Sequence, residues 1–447
     1  MDPARRAAYD LLRAVDERGA YANLVLPGLL RQRGITGRDA AFATELAYGT
    51  LRWQGTYDAV LGACVNRPLD RVDPTLRDAL RLGVHQLLAL RVATHAAVSV
   101  TVDLARAVAG EGAARFANAV LRRVAARALP EWITELAPAY DDDPVAHLAL
   151  AHAHPRWVVA TLRDALGGDL AETAAALAAD NVPAAVTLAA RPGRATRDDL
   201  VAAGATPATW SPYAAQLTAG GDPAALDVVR SGAAGVQDEG SQLVALALAN
   251  APVEGADRRW LDLCAGPGGK AALLAGLGAQ RDAALLAVER RPHRAALVAS
   301  SLGGSAGRHG LVVADARVGA WQAGAFDRVL VDVPCSGLGS LRRRPESRWQ
   351  RGPADVAALG RLQRELLGAA LDAVRPGGLV AYVTCSPHLA ETRVVVDDVL
   401  RERSEVIRVD ARPALRGVPR LGDGPDVQLW PHRHGTDAMY LALLRRR

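Results

Sequence analysis

The sequence predicts an all-helical domain, a small mixed α/β subdomain, and then an open, mainly parallel sheet of the Rossmann-like α/β type. Three observations carry that prediction. Up to about residue 140, apolar residues recur at spacings of three and four, with Gly or Pro between the runs and no strand-like alternation. From residue 258 onward, short apolar runs alternate with helical patterns, as in a sheet covered by helices on both faces. Between the first of those runs and the helix after it stands Cys264-Ala265-Gly266-Pro267-Gly268-Gly269-Lys270, a glycine turn that lets backbone N–H groups and a helix N-terminus approach a ligand closely. The expected divisions are a helical domain over 1–140, a helical linker with a small α/β subdomain over 141–240, and the α/β domain over 241–447.

In the first domain the periodicity gives helices over Ala4–Arg18, Asn23–Arg33, Arg38–Cys64, Pro74–Leu90, His95–Ala109 and Gly112–Ala128. Arginines gather at Arg5, Arg6, Arg31, Arg33, Arg38, Arg52, Arg122 and Arg123, which suits either solvated helix faces or an RNA-contacting surface. Pro130 to Pro144, with Asp141-Asp142-Asp143, reads as a boundary, and helices resume from Val145 to Asp180. Beyond it, residues 185–189 read as a strand, Arg197–Ala203 as a helix and Pro212–Leu217 as a loop or edge strand. The strands of the third domain are Trp260–Leu263, Ala284–Val288, Gly310–Ala314, Arg328–Val331 and Leu379–Thr384.

At 447 residues, half of them apolar, the chain has room for two to four domains. A net charge of +5 and a pI near 9.3 favour a polyanionic partner. No apolar run approaches the ~18 residues of a membrane span, and no signal core follows the start, so a cytoplasmic protein is expected. Four cysteines, at 64, 264, 335 and 385, contain no C-x-x-C pair, which argues against zinc and against a disulfide framework, and no metal is expected. Among 53 basic residues a single one, Lys270, is lysine, and it sits in the glycine turn, where a compact ammonium is a different tool from a planar guanidinium.

A P-loop is excluded, because Cys264 and Ala271 stand where it needs Gly and a hydroxyl; a nucleoside-binding turn survives. The strands end in chemical groups, and in an open parallel sheet those ends face one crevice. Glu289 is placed to accept the hydroxyl protons of a ribose, which NAD and S-adenosylmethionine share, and Asp315 to receive an amino donor such as the adenine N6. Cys335 and Cys385 each follow an apolar strand and lead into a Pro-containing turn that exposes the sulfur, whereas Cys64 and Cys264 read as inert core thiols. Two exposed thiols fit methylation of carbon 5 of cytosine: one adds to C6 and makes C5 nucleophilic, and a base then removes the C5 proton so that sulfur can leave. Asp332 can hold the cytosine N3/N4 edge. Arg342, Arg343, Arg344, Arg348, Trp349 and Arg351, close behind Cys335, suit phosphate contacts and base stacking.

The motifs Cys264-Ala-Gly-Pro-Gly-Gly-Lys270, Asp332-Val-Pro-Cys-Ser-Gly-Leu-Gly339 and Thr384-Cys-Ser386 resemble those of the bacterial RNA cytosine-5 methyltransferases of the Sun/Fmu type. Residues from Arg5 to Arg123, through Phe42–Arg52, His95–Ala105 and Phe116–Arg123, resemble the NusB-like RNA-binding domain, so the likeness covers nearly the whole chain and points to the small-subunit (16S) ribosomal RNA enzyme. The resemblance implies Cys385 as nucleophile, Cys335 as the release residue, and S-adenosylmethionine held by Cys264 to Lys270, Glu289, Asp315 and Asp332. It departs at Glu289, where Asp is common, and at Met439, where an aromatic is often found. RNA is the expected partner and the monomer the expected state. Two alternatives stay open: a DNA cytosine-5 methyltransferase with Cys335 as nucleophile, and a non-catalytic RNA-binding assembly factor.

Overall fold

A computed structural model of the protein describes residues 2–218 and 221–447. The chain forms two compact units, Met1–Val182 with Leu341–Arg351, and Pro183–Ser340 with Gly352–Arg447.

The first unit is helical: α1 (Pro3–Arg18), α2 (Ala22–Gln32), α3 (Gly37–Cys64), α4 (Pro74–Leu88), α5 (Thr94–Val124), α6 (Leu129–Leu136), α7 (Pro144–Ala151), α8 (Arg156–Ala165) and α9 (Leu170–Asp180). Asp2, Asp73, Asp143 and Asp169 start α1, α4, α7 and α9 by accepting first-turn N–H groups that have no partner within the helix. Gly110, at φ 85, interrupts α5, which accounts for the two helices read from the sequence on either side of it. The boundary expected at Pro130–Pro144 instead contains α6, whose Trp132 is buried in the bundle core and donates its indole N–H to the Val124 carbonyl at 3.0 Å. Helices α7 to α9 belong to this unit as well: Thr56 of α3 donates its hydroxyl to Leu150 O at 2.6 Å. The subdomain expected over 141–240 is therefore divided at residues 182/183, its helices going with the bundle and its strands with the second unit.

Many of the arginines gathered in the helical domain have protein partners. Arg5 donates to Gln86, Arg6 and Arg33 pair with Asp10, Arg123 donates to Cys64 O, and Arg52 is buried.

In the second unit, β1 (Val186–Ala190), β2 (Thr206–Pro207), β3 (Ala214–Leu217) and β4 (Ala234–Val236) form a small antiparallel sheet in the order β2-β3-β1-β4, so the stretch read as a loop or edge strand supplies an inner strand. Short helices α10 (Arg197–Ala202) and α11 (Asp227–Arg230) accompany it. The large sheet is built from β5 (Arg259–Asp262), β6 (Ala284–Val288), β7 (His309–Val312), β8 (Phe326–Asp332), β9 (Val374–Thr384), β10 (Val406–Val409), β11 (Val427–Gln428) and β12 (Tyr440–Arg446). Its order is β10-β12-β9-β8-β5-β6-β7, with β11 beside β12; β5 to β9 pair in parallel, and β12 runs antiparallel to β9.

Alternate residues of these strands enter two separate apolar layers. Trp260, Leu330, Ala381, Val383 and Leu441 join one face with α12 (Glu239–Asn250), α13 (Gly269–Ala279) and α14 (Pro292–Leu302). Leu261, Val329, Val331, Val380 and Tyr382 join the other. That second face is covered by α16 (Pro353–Ala373) and α17 (Arg393–Glu402), while the short α15 (Ser347–Gln350) precedes them and α18 (Pro431–His434) follows. Among the described residues no helix is long and apolar enough to cross a membrane.

Residues 341–351, with α15, leave the second unit and pack within the first. Arg348 is 0% exposed, and its guanidinium donates to Arg52 O at 3.2 Å, Ala153 O at 3.1 Å, Asn181 Oδ1 at 2.9 Å and Asp180 O at 3.3 Å. Trp349 donates its indole N–H to Leu51 O at 2.7 Å, and Arg344 lies over the Tyr21 ring. The stretch expected to meet RNA thus has structural partners at Arg348 and Trp349: the planar fork of Arg348 bridges a carbonyl in the middle of α3 and acceptors at or just beyond the ends of α7 and α9.

Arg348→Ala is expected to destabilise the helical unit by about 3 kcal/mol, since several buried acceptors lose their donor together. Urea unfolding of the full chain, followed by hydrogen exchange in α3 and α9, checks this. A loss of RNA affinity with unchanged stability would contradict it.

Candidate active site

The large sheet reverses direction of growth at β5: β6 and β7 build outward on one side, β8 and β9 on the other. Ligands of open parallel sheets bind at such a switch point, outside the carboxyl ends of the strands. Here those ends carry the glycine loop after β5 and Asp332 at the end of β8.

The loop is fixed from three sides. Leu263 N–H donates to Leu330 O at 2.8 Å and Ala265 N–H to Val288 O at 2.9 Å, anchoring it to β8 and β6. From α14, Arg294 donates to Gly266 O at 2.7 Å and Ser301 to Pro267 O at 3.2 Å. Gly266 leaves room for Glu289: a Cβ there would lie 2.2 Å from Glu289 Oε2. Gly268 and Gly269 lead into α13, whose Lys270 sends its ammonium to Asp332 Oδ2 at 2.8 Å. Both side chains of this ion pair are largely but not fully enclosed, at 13% and 25% exposure.

Glu289, at the end of β6, is buried; its Oε1 accepts Arg291 N–H at 2.8 Å and its Oε2 lies 3.7 Å from Arg294 Nε. Asp315 is chelated by Arg317, with Nε on Oδ1 at 3.0 Å and Nη2 on Oδ2 at 2.7 Å, and these bonds hold its carboxyl down at about 2. Any further donor to Asp315 must use a lone pair outside that chelate. Asp262 was not among the residues singled out from the sequence. Burial first, then the charge of Asp332, pushes its carboxyl up to about 7, and its Oδ2 has no hydrogen-bond partner. An apolar run ending in Asp directly before a glycine turn was the available signal, but a strand-end carboxylate is common enough to pass unnoticed.

The two strand-end thiols meet. Cys335 Sγ and Cys385 Sγ are 3.3 Å apart, both partly exposed and both free. Parallel pairing of β8 with β9, Val331 opposite Tyr382 and Asp332 opposite Val383, brings the turns side by side. Gly339 closes the join: its N–H donates to Cys385 O at 2.9 Å, its carbonyl accepts Ala438 N–H at 2.8 Å, and a Cβ would lie 2.0 Å from Ala438 O.

The pair is electrically asymmetric. A hydrogen bond from the Cys335 thiol, with a smaller contribution from the Lys270 charge, holds Cys385 below the usual thiol range against burial and Asp332. The Cys335 thiol is pushed up by that same bond, by burial and by the charges of Cys385, Glu391 and Asp332. Thiolate character therefore concentrates on Cys385. Cys264, in the loop, and Cys64, in the helical core, are pushed up by burial, in keeping with their reading as inert thiols.

A sheet with a glycine loop at its switch point and a carboxylate after the next strand is of the nucleoside-binding α/β class, and the likeness to known proteins makes it a methyltransferase. Residues 247–445 match the family described as 16S rRNA methyltransferase RsmB/F, and residues 2–126 match the NusB family. Rv1407 of Mycobacterium tuberculosis, whose name places it with the methyltransferases, is 58% identical over 100% of this chain and 97% of its own. Ribosomal RNA small subunit methyltransferase B of Pseudomonas syringae is 33% identical, over 99% of this chain and 97% of its own. In fold, the crystal structure of PH0851 is similar at a TM-score of 0.80 and 21% identity, covering 100% of this chain and 99% of that one. The chain belongs to the RsmB/F methyltransferase family and carries a NusB-family domain at its N-terminal end.

Iodoacetamide at neutral pH is expected to label Cys385 before Cys335. Lys270→Met should shift the labelling curve of Cys385 to higher pH, because a thiolate that loses a neighbouring cation binds its proton more tightly. Peptide mapping across a pH series reads both effects, and equal labelling of the two thiols at every pH would contradict the asymmetry.

Proposed function

We propose that the protein transfers a methyl group from S-adenosylmethionine to carbon 5 of a cytosine in RNA, with 16S ribosomal RNA as the substrate. The observation that carries this reading is the pair of contacting thiols beside the Lys270–Asp332 ion pair, at the mouth of a nucleoside-binding sheet. The family description and the name of the Pseudomonas relative favour ribosomal RNA, and the NusB-family domain favours an RNA partner.

The loop fits the cofactor. Gly266 leaves a cradle that a Cβ would fill, and Asp262, Glu289 and Asp332 make the surroundings acidic, which suits a cationic sulfonium ligand. Cys264 to Lys270 would hold its backbone side, Glu289 its ribose hydroxyls and Asp315 its adenine amino group, with Asp332 nearby. When bound, S-adenosylmethionine supplies an electrophilic methyl group.

The chain's own residues do the rest. Cys385, as thiolate, adds to C6 of the cytosine, and the electron pair moves toward N3, which is held by Asp332 through a shared proton that N3 takes up on addition and returns when the ring double bond re-forms. Lys270 keeps Asp332 oriented and favours the thiolate. C5, now enamine-like, takes the methyl group. Cys335 then serves in removing the C5 proton, the C5–C6 double bond re-forms, and the Cys385 sulfur leaves. A protonated Cys335 must first give its proton to solvent, because Cys385 is held as a thioether until the C5 proton is gone; the released Cys385 thiolate can then share the proton that Cys335 has taken from C5.

Bisulfite sequencing of ribosomal RNA from cells with and without the gene tests the reaction; an unchanged cytosine pattern would refute it. The thiol roles give a sharper outcome on denaturing gels. Cys335→Ala is expected to accumulate a covalent RNA complex when incubated with RNA and S-adenosylmethionine, since addition proceeds and release does not. Cys385→Ala should form none and turn over at less than about a thousandth of the wild-type rate. The reverse pattern would make Cys335 the nucleophile, as in the DNA-type mechanism. Wild-type binding without methyl transfer would favour a non-catalytic factor.

A further inference from the structure

Behind the two thiols lies a buried polar cluster that the reaction scheme does not use. Glu391, on the short turn Leu389–Glu391, is 0% exposed, and Ser336, Ser386 and Gln363 around it are buried too. Its Oε1 accepts Ser336 N–H at 2.7 Å and Gln363 Nε2–H at 3.2 Å; its Oε2 accepts the Ser336 hydroxyl at 2.5 Å. Gln363 also donates to Pro334 O at 2.9 Å, and Tyr382 donates its hydroxyl to Glu391 O at 2.7 Å. Ser336 follows Cys335 and Ser386 follows Cys385, and their hydroxyl oxygens are 3.1 Å apart.

Proton counting fixes the direction of this chain. A carboxylate only accepts, so the one Ser336 hydroxyl proton points to Glu391. The contact between the serines must then be a donation from Ser386 to Ser336. Ser386 Oγ in turn accepts His388 N–H at 3.2 Å. Each hydroxyl donates once, toward the same end, and the two cysteine turns are tied to one carboxylate.

We infer that Glu391 is a positioning residue for methyl transfer: through Ser336 and Ser386 it locks the turns that carry Cys335 and Cys385 at the spacing where their sulfurs touch. The inference rests on the two-thiol reading above. Its negative charge also adds to the burial and the Cys385 hydrogen bond that keep Cys335 protonated, so Glu391 bears on which thiol is the nucleophile as well as on where both stand.

Glu391→Gln separates these effects from simple bulk, because it keeps the volume and reverses one bond. The amide oxygen must face Ser336 N–H, so the amide N–H₂ faces the Ser336 hydroxyl and donates to it. Two hydroxyl protons, on Ser336 and Ser386, then compete for the single contact between them, and one is left buried without its acceptor. The full-length variant is expected to bind S-adenosylmethionine as the wild type does, with kcat for RNA methylation lowered by about 10- to 100-fold and KM changed by less than about two-fold. In the resting protein, the preference of iodoacetamide for Cys385 over Cys335 should shrink by roughly ten-fold, as Cys335 loses a neighbouring negative charge. If kcat falls while thiol preference stays at the wild-type value, Glu391 is structural support alone and the inference is overturned; it is equally overturned if kcat stays within two-fold. Should Glu391→Gln fail to fold by circular dichroism, Ser336→Ala takes its place with the same kcat and KM split expected, and an unchanged kcat there overturns the inference. Failure of the underlying reading looks different: the wild type itself would leave no 5-methylcytosine in the RNA, whereas the thiol preference is read without RNA.

Discussion

Everything at the site depends on one constraint, the parallel pairing of β8 with β9. Two parallel neighbours end at the same edge of the sheet, so the turns after them are forced together although 50 residues separate the two cysteines along the chain. An antiparallel pair would have sent those turns to opposite edges. The crossover that parallel pairing demands is filled by α16, which also delivers Gln363 beneath the thiols. Packing follows the same logic: alternate residues of both strands enter opposite apolar layers, so a one-residue slip in register would exchange the side chains fitted to each layer and move Cys335 away from Cys385 in one step.

The charges around the switch point are organised against the cost of burying them. Asp262, Glu289 and Asp332 cluster near the loop, and the protein answers with Lys270 on Asp332 and Arg294 near Glu289. Asp262 forms no such ion pair, and burial, with the charge of Asp332 added, raises its carboxyl against the more distant pull of Lys270. Because its folded value is raised, this group weakens the fold as pH climbs from the ordinary carboxylate range through about 7, and favours it below. A cradle that carries such a deficit is prepared for a cation, which is the electrostatic side of the proposed cofactor fit.

How much of this was legible in the sequence differs by kind of signal. Short apolar runs alternating with helical patterns, and glycine punctuation, located β5, β6, β8 and β9, and the residue after each strand end was already chemically distinctive, so Glu289, Asp332, Cys335 and Cys385 stood out. The Gly110 break in α5 was equally local. The antiparallel strands β10 to β12 were not read, because the pairing of β12 with β9, and of β10 and β11 with β12, is set by packing of the whole sheet rather than by any turn beside them. Helix α6 hid behind prolines and acids that resemble a linker, though Pro130 sits in its first turn, where proline costs nothing. Glu391 and Gln363 were invisible for a related reason: a lone acid and a lone amide become a site only when the fold sets them under two turns distant in sequence.

The arginines after Cys335 teach the most about proximity. Residues 341–351 lie next to the thiol turn along the chain, and that adjacency suggested a nucleic-acid contact. The fold instead spends Arg348 on four acceptors of the helical unit, and composition explains why sequence alone could not foresee it. In a chain where nearly every basic residue is arginine, an arginine serves as helix-surface charge, as buried fork and as phosphate ligand alike, and its presence discriminates among none of them. The single lysine is informative for the opposite reason. At position 270 a flexible stem carries a compact charge to Asp332 while still acting on Cys385, a reach between two partners that a planar five-donor fork would fill rather than bridge. In this protein the rare cation sits in the proposed site, and the buried Arg348 shows the abundant one serving the architecture.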